Sequence, residues 1–337
     1  MANQTIGAGY VKALIDLAVS KGAEPNLLLD QSHIHLVDLQ NRDNRIPLDR
    51  YQTLMKAAKG ILQEPALGAQ LGEAAILSEI SIVGLVAHAA TTLAEGFLHI
   101  NRYGRLVVEV DGHKPSGRFE FDRDEAGDWI VDTRQNPNIF PELTESAFAM
   151  MACWPAQVSG LTSIVKAVEF THNEPGNHAE YERIFDAPVA FGCDRNALLI
   201  DRSMGTQSLR QNNRYVFGIF SERADELLEE LQNSKSTKGQ VESLLIPILH
   251  TGDVSMEQIA EKMGTSRQTL YRKLKAEDVT YEKLLDDLRQ KMAVNYLSGK
   301  KASVNETAYL VGFSEPSAFS RAFKRWTGNS PGGYVPN

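Results

Sequence analysis

Apolar residues recur every three or four positions over 10–18 and 48–62, the period of amphipathic helices. The pattern then shortens to strand-forming runs separated by the turn-forming segments DGHKPS and DRDEAGD, which predicts a small antiparallel sheet. These runs cover 106–110, 117–121 and 129–133. A helix over 142–158 and a strand over 167–171 follow. The front of the chain, 1–220, is therefore predicted to be an α+β domain.

The most apolar window, 80–97, contains His88, Thr91, Thr92 and Glu95. A bilayer core would penalise these residues by several kcal/mol together, so the window predicts a buried helix and no membrane contact. The first nine residues lack the basic and apolar parts of a secretion signal. We expect a cytoplasmic protein.

A charged helix is predicted over 221–232, and the small polar segment NSKSTKG, 233–239, is the best linker candidate. The pattern is helical from there to the end. We therefore expect a helix and linker over 221–239 and an all-α domain over 240–337.

This last region contains the same arrangement of residues twice. Ser255 stands three residues before Gln258, and Ser303 stands three residues before Glu306, 48 positions later. Each pair is typical of a helix start at which two side chains satisfy free backbone N–H groups. A glycine turn follows each short helix, and Ser266 and Ser314 are predicted to cap the next helices. Helix, turn, helix is thus predicted twice.

Four-residue spacing decides which side chains of the two second helices point outward. They are the residue types that reach base edges and phosphates, since Arg can pair with guanine, Gln with adenine, and Lys with phosphate. The predicted DNA-binding residues are Arg267, Gln268, Thr269, Tyr271, Arg272, Lys275, Glu315, Ser317, Arg321, Lys324 and Arg325. Each unit alone could be an ordinary solvated helix, but two in tandem favour DNA.

A predicted helix over 279–297 joins the two units, with Leu284, Leu288 and Ala293 among the residues at core spacing. Its length of roughly 28 Å, at about 1.5 Å per residue, suits adjacent major-groove segments roughly 34 Å apart. One chain could therefore place both helices on one face of DNA.

The net charge of −8 argues at first against nucleic acid. The distribution changes this, because 238–337 holds 14 Lys and Arg against 11 Asp and Glu, while 1–237 holds 21 against 32. The acidity belongs to the front domain. Cys153 and Cys193 lack metal-ligand spacing and suit small buried residues in a reducing compartment. We predict no metal and no cofactor.

The rear domain resembles the AraC/XylS transcription regulators. The resemblance lies in MEQIAEKMGTSRQTLYRKLKAEDVTYEKLLDDLR and, more strongly, in VNETAYLVGFSEPSAFSRAFKRWTGNSP. It implies that the base-reading positions are Gln268, Thr269, Tyr271, Arg272, Ser317 and Arg321. Two departures from the family pattern are Thr307, in place of Ile or Val, and Val335, in place of a basic residue. The first is expected to weaken a core slightly and the second to remove a phosphate contact.

The front domain is similar to the "arabinose-binding" N-terminal domain of one subgroup of these regulators, through VEFTHNEP at 168–175 and PVAF at 188–191. This implies a small-molecule sensor that also dimerises, although arabinose itself is not implied. The effector-binding residues are unknown. The expected partners are double-stranded DNA, a small-molecule effector, a second copy of the chain and, for an activator, RNA polymerase.

Two alternatives stay open at this point. The front domain could receive a partner protein instead of a metabolite, or the chain could be a hydrolytic enzyme with a DNA-binding tail. His172 in the FTHNEP segment favours a structural role over a catalytic one, and no nucleophile or phosphate-binding motif is present. We therefore predict no catalytic residue. The aromatic residues Tyr103, Trp129, Phe140, Trp154 and Phe170 either line a ligand pocket or, for most of them, fill the core.

Overall fold

The computed structural model describes residues 4–110, 117–160, 164–202, 209, 214–298 and 302–334. The chain divides into two compact units, Met1–Leu228 and Glu229–Asn337, called the front unit and the rear unit below. The division falls inside one helix. The domain boundaries expected from the sequence, with a linker over 233–239, stay a prediction.

The front unit mixes helices and strands. Its helices are α1 (Ala8–Ser20), α2 (Pro25–Ser32), α3 (Leu48–Leu62), α4 (Leu67–Ala74), α5 (Leu77–Ile80), α6 (Ile82–His88), α7 (Leu93–Val107), α8 (Glu142–Ser159) and α9 (His178–Phe185). Its strands are β1 (Thr5–Gly7), β2 (Arg45–Pro47), β3 (Phe119–Arg123), β4 (Asp128–Asp132), β5 (Val165–Glu169), β6 (Val189–Ala190) and β7 (Ala197–Ile200). Short 3-10 helices cover Leu36–Leu39 and Pro137–Ile139.

Five of the described strands form one sheet in the order β3-β4-β7-β5-β6, and β1 pairs with β2 separately. All pairs in the larger sheet are antiparallel except β5 with β6, which run parallel. Strand β7 lies at the centre, and all four of its residues are buried. The predicted α+β architecture is confirmed.

Helix α8 runs through the middle of the front unit, where it packs closely along α4. A Cβ atom added at Gly72 would lie 2.2 Å from the backbone oxygen of Ser146, so only glycine permits this approach. One apolar core lies around α1 and α3, and a second lies around the sheet and α9. All five aromatic residues singled out in the sequence are buried, with Phe140 and Trp154 at 4% and 2% exposure.

Several local predictions for the front unit were wrong. The window 80–97 contains parts of three helices instead of one, because the hydroxyls of Ser81 and Thr92 cap new helix starts at α6 and α7. The predicted strand 106–110 begins as the end of α7, and its Val108 makes only an isolated bridge to Ile6. Cys153 and Cys193 are half-buried instead of buried.

The rear unit is helical throughout its described residues. Helix α10 (Arg214–Lys235) contains the predicted helix 221–232 and crosses from the front unit into the rear one. It is followed by α11 (Thr237–Leu245), α12 (Met256–Lys262), α13 (Arg267–Ala276), α14 (Tyr281–Ser298), α15 (Val304–Leu310) and α16 (Pro316–Thr327), with short 3-10 helices at Ile246–Thr251 and Pro331–Gly333. The segment 233–239 is helical on both sides of Ser236, whose hydroxyl caps α11.

Candidate DNA-binding surface

Helices α12 and α13 form the first predicted unit. The Ser255 hydroxyl accepts from the Gln258 N–H at 3.3 Å, but the Gln258 amide donates to Asp253 at 2.7 Å instead of closing the expected reciprocal pair. Gly264 makes the turn with a φ of 63°, which glycine adopts without strain. Ser266 caps α13 as predicted, by accepting from the Thr269 N–H at 3.2 Å.

Helices α15 and α16 form the second unit. Its capping box is complete, because Glu306 accepts from the Ser303 N–H at 2.8 Å and the Ser303 hydroxyl accepts from the Glu306 N–H at 3.3 Å. The prediction that Ser314 caps the next helix was wrong. Glu315 occupies the N-cap position without a side-chain hydrogen bond, and α16 begins at Pro316, whose missing N–H needs no partner at a helix start.

The two helix-turn-helix units have cores of different residue types. Leu270 and Leu274 of α13 are 0% and 1% exposed. Phe319 and Phe323 of α16 are both fully buried, and their rings lie 5.6 Å apart. These buried faces were predicted from spacing and are confirmed. Burial of one face fixes which residues of each helix face outward.

All the predicted DNA-contacting side chains are exposed on or beside α13 and α16. They are Arg267, Gln268, Thr269, Tyr271, Arg272 and Lys275 in the first unit and Glu315, Ser317, Arg321, Lys324 and Arg325 in the second. Two of them make ion pairs: Arg267 with Glu257 at 2.7 Å and Arg325 with Asp286 at 2.9 Å. Such exposed pairs contribute little to stability, so a phosphate can compete for both guanidinium groups.

Helix α14 fastens the two helix-turn-helix units of the rear unit to one another. At its start the Tyr281 hydroxyl donates to the Val254 oxygen at 2.8 Å, just before the first unit, and burial raises the Tyr281 pKa to about 12. Arg289 donates to the Val311 oxygen at 3.1 Å, and Gln290 donates to the Trp326 oxygen at 3.3 Å. The helix has 18 residues, or roughly 27 Å at about 1.5 Å per residue. The predicted spacer is therefore confirmed as a helix anchored at both units.

A tight contact at Gly312 also joins the second helix-turn-helix unit to the 3-10 helix that precedes the first. A Cβ atom added there would lie 2.2 Å from the Leu249 oxygen, and its φ of 80° favours glycine independently. Any larger residue would push the second unit away from the 3-10 helix that precedes the first.

Sequence reasoning missed three residues of this surface and its support. Lys273 is exposed on α13 beside Arg272. Its place next to a predicted DNA-contacting residue was a signal for it in the sequence. Glu277 accepts from the N–H groups of Thr237 and Lys238 at 2.6 and 2.9 Å, which ties the end of α13 to the start of α11. Neither this bond nor the Arg289 contact has a signal in local spacing.

The first departure from the family pattern has a visible consequence. Thr307 is fully buried, and its hydroxyl has no hydrogen-bond partner among the described residues. A buried hydroxyl without a partner costs stability, in the direction expected from the sequence. The second departure, Val335, lies outside the described residues.

The front unit holds a buried polar cluster at the FTHNEP segment. Glu145 is 1% exposed, and its Oε1 accepts from the Tyr181 hydroxyl at 3.0 Å. The His172 Nε2 lies 3.4 Å from the same Oε1. Burial raises the pKa of Glu145 to about 8 and lowers the pKa of His172. No pattern in the sequence indicates that Glu145 and His172 meet. Among the described residues, no group of three or more His, Cys, Asp or Glu is placed to hold a metal ion.

The described residues of the front unit line at least two cavities. One of about 420 Å³ lies between α7 and the sheet, with Phe97 and Phe121 among its apolar lining residues and Asp128 and Asp201 among its polar ones. The other, of about 220 Å³, lies at the start of α3 and the loop after β4 and includes Arg134 and Phe140. Both are places where a small molecule could bind.

Paired helix-turn-helix units on a rigid spacer, behind a mixed α+β unit, define a DNA-binding transcription regulator. Comparison with known proteins agrees. Residues 22–209 match the family described as "Arabinose-binding domain of AraC transcription regulator, N-term", and residues 259–336 match a family described as "Helix-turn-helix domain". The chain belongs to the AraC family of transcription regulators and is not an enzyme.

The chain is also similar to regulators of comparable length. An ornithine utilization regulator of Pseudomonas aeruginosa is 25% identical, over 98% of this chain and 96% of its own. The regulator VirS of Mycobacterium tuberculosis is 24% identical, over 95% and 93% of the two chains. The crystal structure of the regulator CdpR from Pseudomonas aeruginosa is 19% identical, covers 96% of both chains and has a TM-score of 0.41. Within the described residues, no helix has the length and apolar character needed to cross a membrane.

Proposed function

We propose that this regulator reads a specific DNA sequence with both recognition helices, α13 and α16, and that a small molecule bound to the front unit sets its affinity for DNA. It acts in the bacterial cytoplasm as a homodimer, and it contacts RNA polymerase if it is an activator. The observation that carries the proposal is the exposed Arg, Lys and Gln side chains on two helices fastened to one spacer.

Base reading is assigned to Arg272 and Arg321. Each lies on the exposed side of its recognition helix, opposite the buried residues of that helix. An Arg side chain that pairs with guanine discriminates against other bases by about 1–3 kcal/mol. Lys275 and Lys324 lie beside them and suit phosphate contacts, which contribute affinity without sequence information.

The test is to select binding sites from a random DNA library with the full-length protein and its variants. Arg272→Ala and Arg321→Ala should each lose about 1–3 kcal/mol on the selected site and relax the preference at a few base pairs. Lys283→Ala is the control, since Lys283 is an exposed cation on α14. An unchanged site preference for Arg321→Ala would remove the second unit from sequence reading.

Control by the front unit is supported by its family and by the opposite charges of the two parts of the chain. An effector can shift DNA affinity only through its different affinity for two arrangements of the protein, and a tenfold change needs about 1.4 kcal/mol. DNA affinity should be measured at matched salt for the full chain, with and without compounds that raise its melting temperature, and for residues 238–337 alone. Identical affinities in all cases would contradict regulation by the front unit.

The same measurements address control by a partner protein. A metabolite effector should copurify with the full-length protein or stabilise it against heat, and mass spectrometry of the native protein can identify it.

We also expect residues 238–337 to fold and bind DNA alone, with first proteolytic cuts at 234–239. First cuts confined to 255–330 would contradict this boundary.

A further inference from the structure

The end of β4 leads into a buried ionic cluster. Asp132, whose side chain is 0% exposed, accepts from Arg118 Nη2 at 2.8 Å and from Arg134 Nε at 3.2 Å. Thr144 donates its hydroxyl to Asp132 at 2.7 Å, and Arg134 Nη2 donates to the same hydroxyl oxygen at 2.5 Å. The two guanidinium groups are almost as deeply buried as the carboxylate, at 13% and 6% exposure.

The charges in this cluster do not balance. Arg118 and Arg134 bring two positive charges, and Asp132 brings one negative charge. The charged groups that shift the pKa of Arg134 are these same two partners, Arg118 and Asp132. Burial lowers that pKa to about 10, so Arg134 stays protonated at neutral pH. A buried excess charge is costly unless a counter-charge meets it.

The cavity of about 220 Å³ lies directly against Arg134. Its lining also has four carboxamide side chains, including Gln52 and Asn136, and five apolar side chains, including Phe140. No carboxylate is among the described lining residues. The volume corresponds to about seven water molecules at roughly 30 Å³ each, which suits an organic acid of a few heavy atoms.

We propose that this cavity binds a small organic carboxylate, which meets the excess positive charge at Arg134 and places its body among the amides and apolar side chains. One excess charge matches a monoanion. A guanidinium pairs well with a planar carboxylate, and the apolar lining favours an organic acid over an inorganic ion. That the acid is also the effector rests on the proposed function.

The test is thermal unfolding of the full-length protein with sodium butyrate or sodium benzoate, against butyramide, benzamide and sodium chloride at matched ionic strength. At least one acid should raise the melting temperature of the front unit with a saturable dependence, and the matched amide should not. Sodium phosphate is included to detect a general anion site. Equal effects of acid and amide, no effect of either acid, or an effect of phosphate alone would overturn the proposal.

Two variants place a carboxylate in the lining without removing Arg134. Gln52→Glu and Asn136→Asp should each weaken acid binding at least tenfold. Asn136 has a φ of 51°, which Asp also tolerates, so this variant should fold. Gln31→Glu is the matched control, because Gln31 is exposed on α2 and outside the lining. Unweakened binding in both cavity variants would contradict the assignment.

DNA affinity at saturating acid separates this proposal from the proposed function. Acid binding that leaves DNA affinity unchanged would contradict the effector role and keep the cavity assignment. A DNA affinity that responds to another compound, with no acid bound, would keep the proposed function and overturn the cavity assignment.

Discussion

The front and rear units differ in where their polar side chains lie. In the front unit, Glu109, Asp132, Glu145 and His172 are buried. In the described part of the rear unit, Thr307 is the buried polar residue, and the charged side chains of α13 and α16 lie in solvent. A surface for DNA needs exposed charge, whereas specific recognition of a small molecule needs a few polar groups held in an apolar surrounding. The difference matches the two proposed tasks.

The largest effect is expected from a substitution that breaks the buried cluster of the front unit. Asp132→Ala leaves Arg118 and Arg134 buried without their carboxylate, so we expect a loss of about 3–5 kcal/mol in the free energy of unfolding. Urea unfolding in a Trp326→Phe background checks this, because the remaining Trp129 and Trp154 both lie in the front unit. Asp122→Ala, whose carboxylate is 65% exposed, should cost less than about 1 kcal/mol. Similar losses in both variants would deny the cluster a special role.

The buried carboxyl of Glu145 should make the front unit sensitive to pH. Its pKa is raised from 4.5 to about 8 in the folded protein, so its contribution to stability is complete below about 4.5 and is lost as the pH rises through about 8. Between pH 7 and 8, where the histidines of both states are largely neutral, stability should fall by up to about 1.4 kcal/mol per pH unit. Urea unfolding at several pH values in the Trp326→Phe background measures the slope.

The controls for this prediction are two matched amides. Glu145→Gln should flatten the slope between pH 7 and 8, and Glu79→Gln, at an exposed carboxylate, should leave it unchanged. A slope that survives in Glu145→Gln belongs to another group.

A smaller effect concerns the buried hydroxyl of the rear unit. Thr307→Val keeps the shape of the side chain and removes the unpartnered oxygen, so we expect a gain of about 1 kcal/mol. Thr280→Val makes the same change where the hydroxyl accepts from the Lys283 N–H at 3.2 Å, and it should lose about 1 kcal/mol. Unfolding of residues 229–337, which contain Trp326 as their single tryptophan, gives both values. Equal signs would contradict the comparison.

The smallest effect tests an exposed pair on the DNA side. Asp286→Asn frees Arg325 and removes a negative charge near the recognition helix, so DNA affinity at low salt should rise about two- to threefold. Asp287→Asn removes the same charge from an exposed neighbour outside the pair. If both variants bind DNA equally, the ion pair does not restrain Arg325.

Much of the rear unit follows from local sequence. The repeated caps at Ser255 and Ser303, the glycine turns and the spacing of Leu270 and Phe319 act within a few residues, so periodicity places each helix and its outward face. Predictions failed where two signals compete, as at Ser314, where Pro316 shifts the helix start by one residue. The window 80–97 failed for a similar reason, since its apolar content hid the capping role of Thr92.

The sequence by itself determined the two helix-turn-helix units, their order and the side chains they expose, because these depend on contacts between near neighbours. Only the tertiary structure decided that Arg118, Asp132 and Arg134 share one buried cluster beside a cavity, and that Glu145 meets His172. In the sequence these charges follow polar turns and resemble surface residues. The burial of Arg118, Asp132 and Arg134 depends on contacts with α8, a separate segment of the chain. The periodicity of one strand carries no information about which helix covers it.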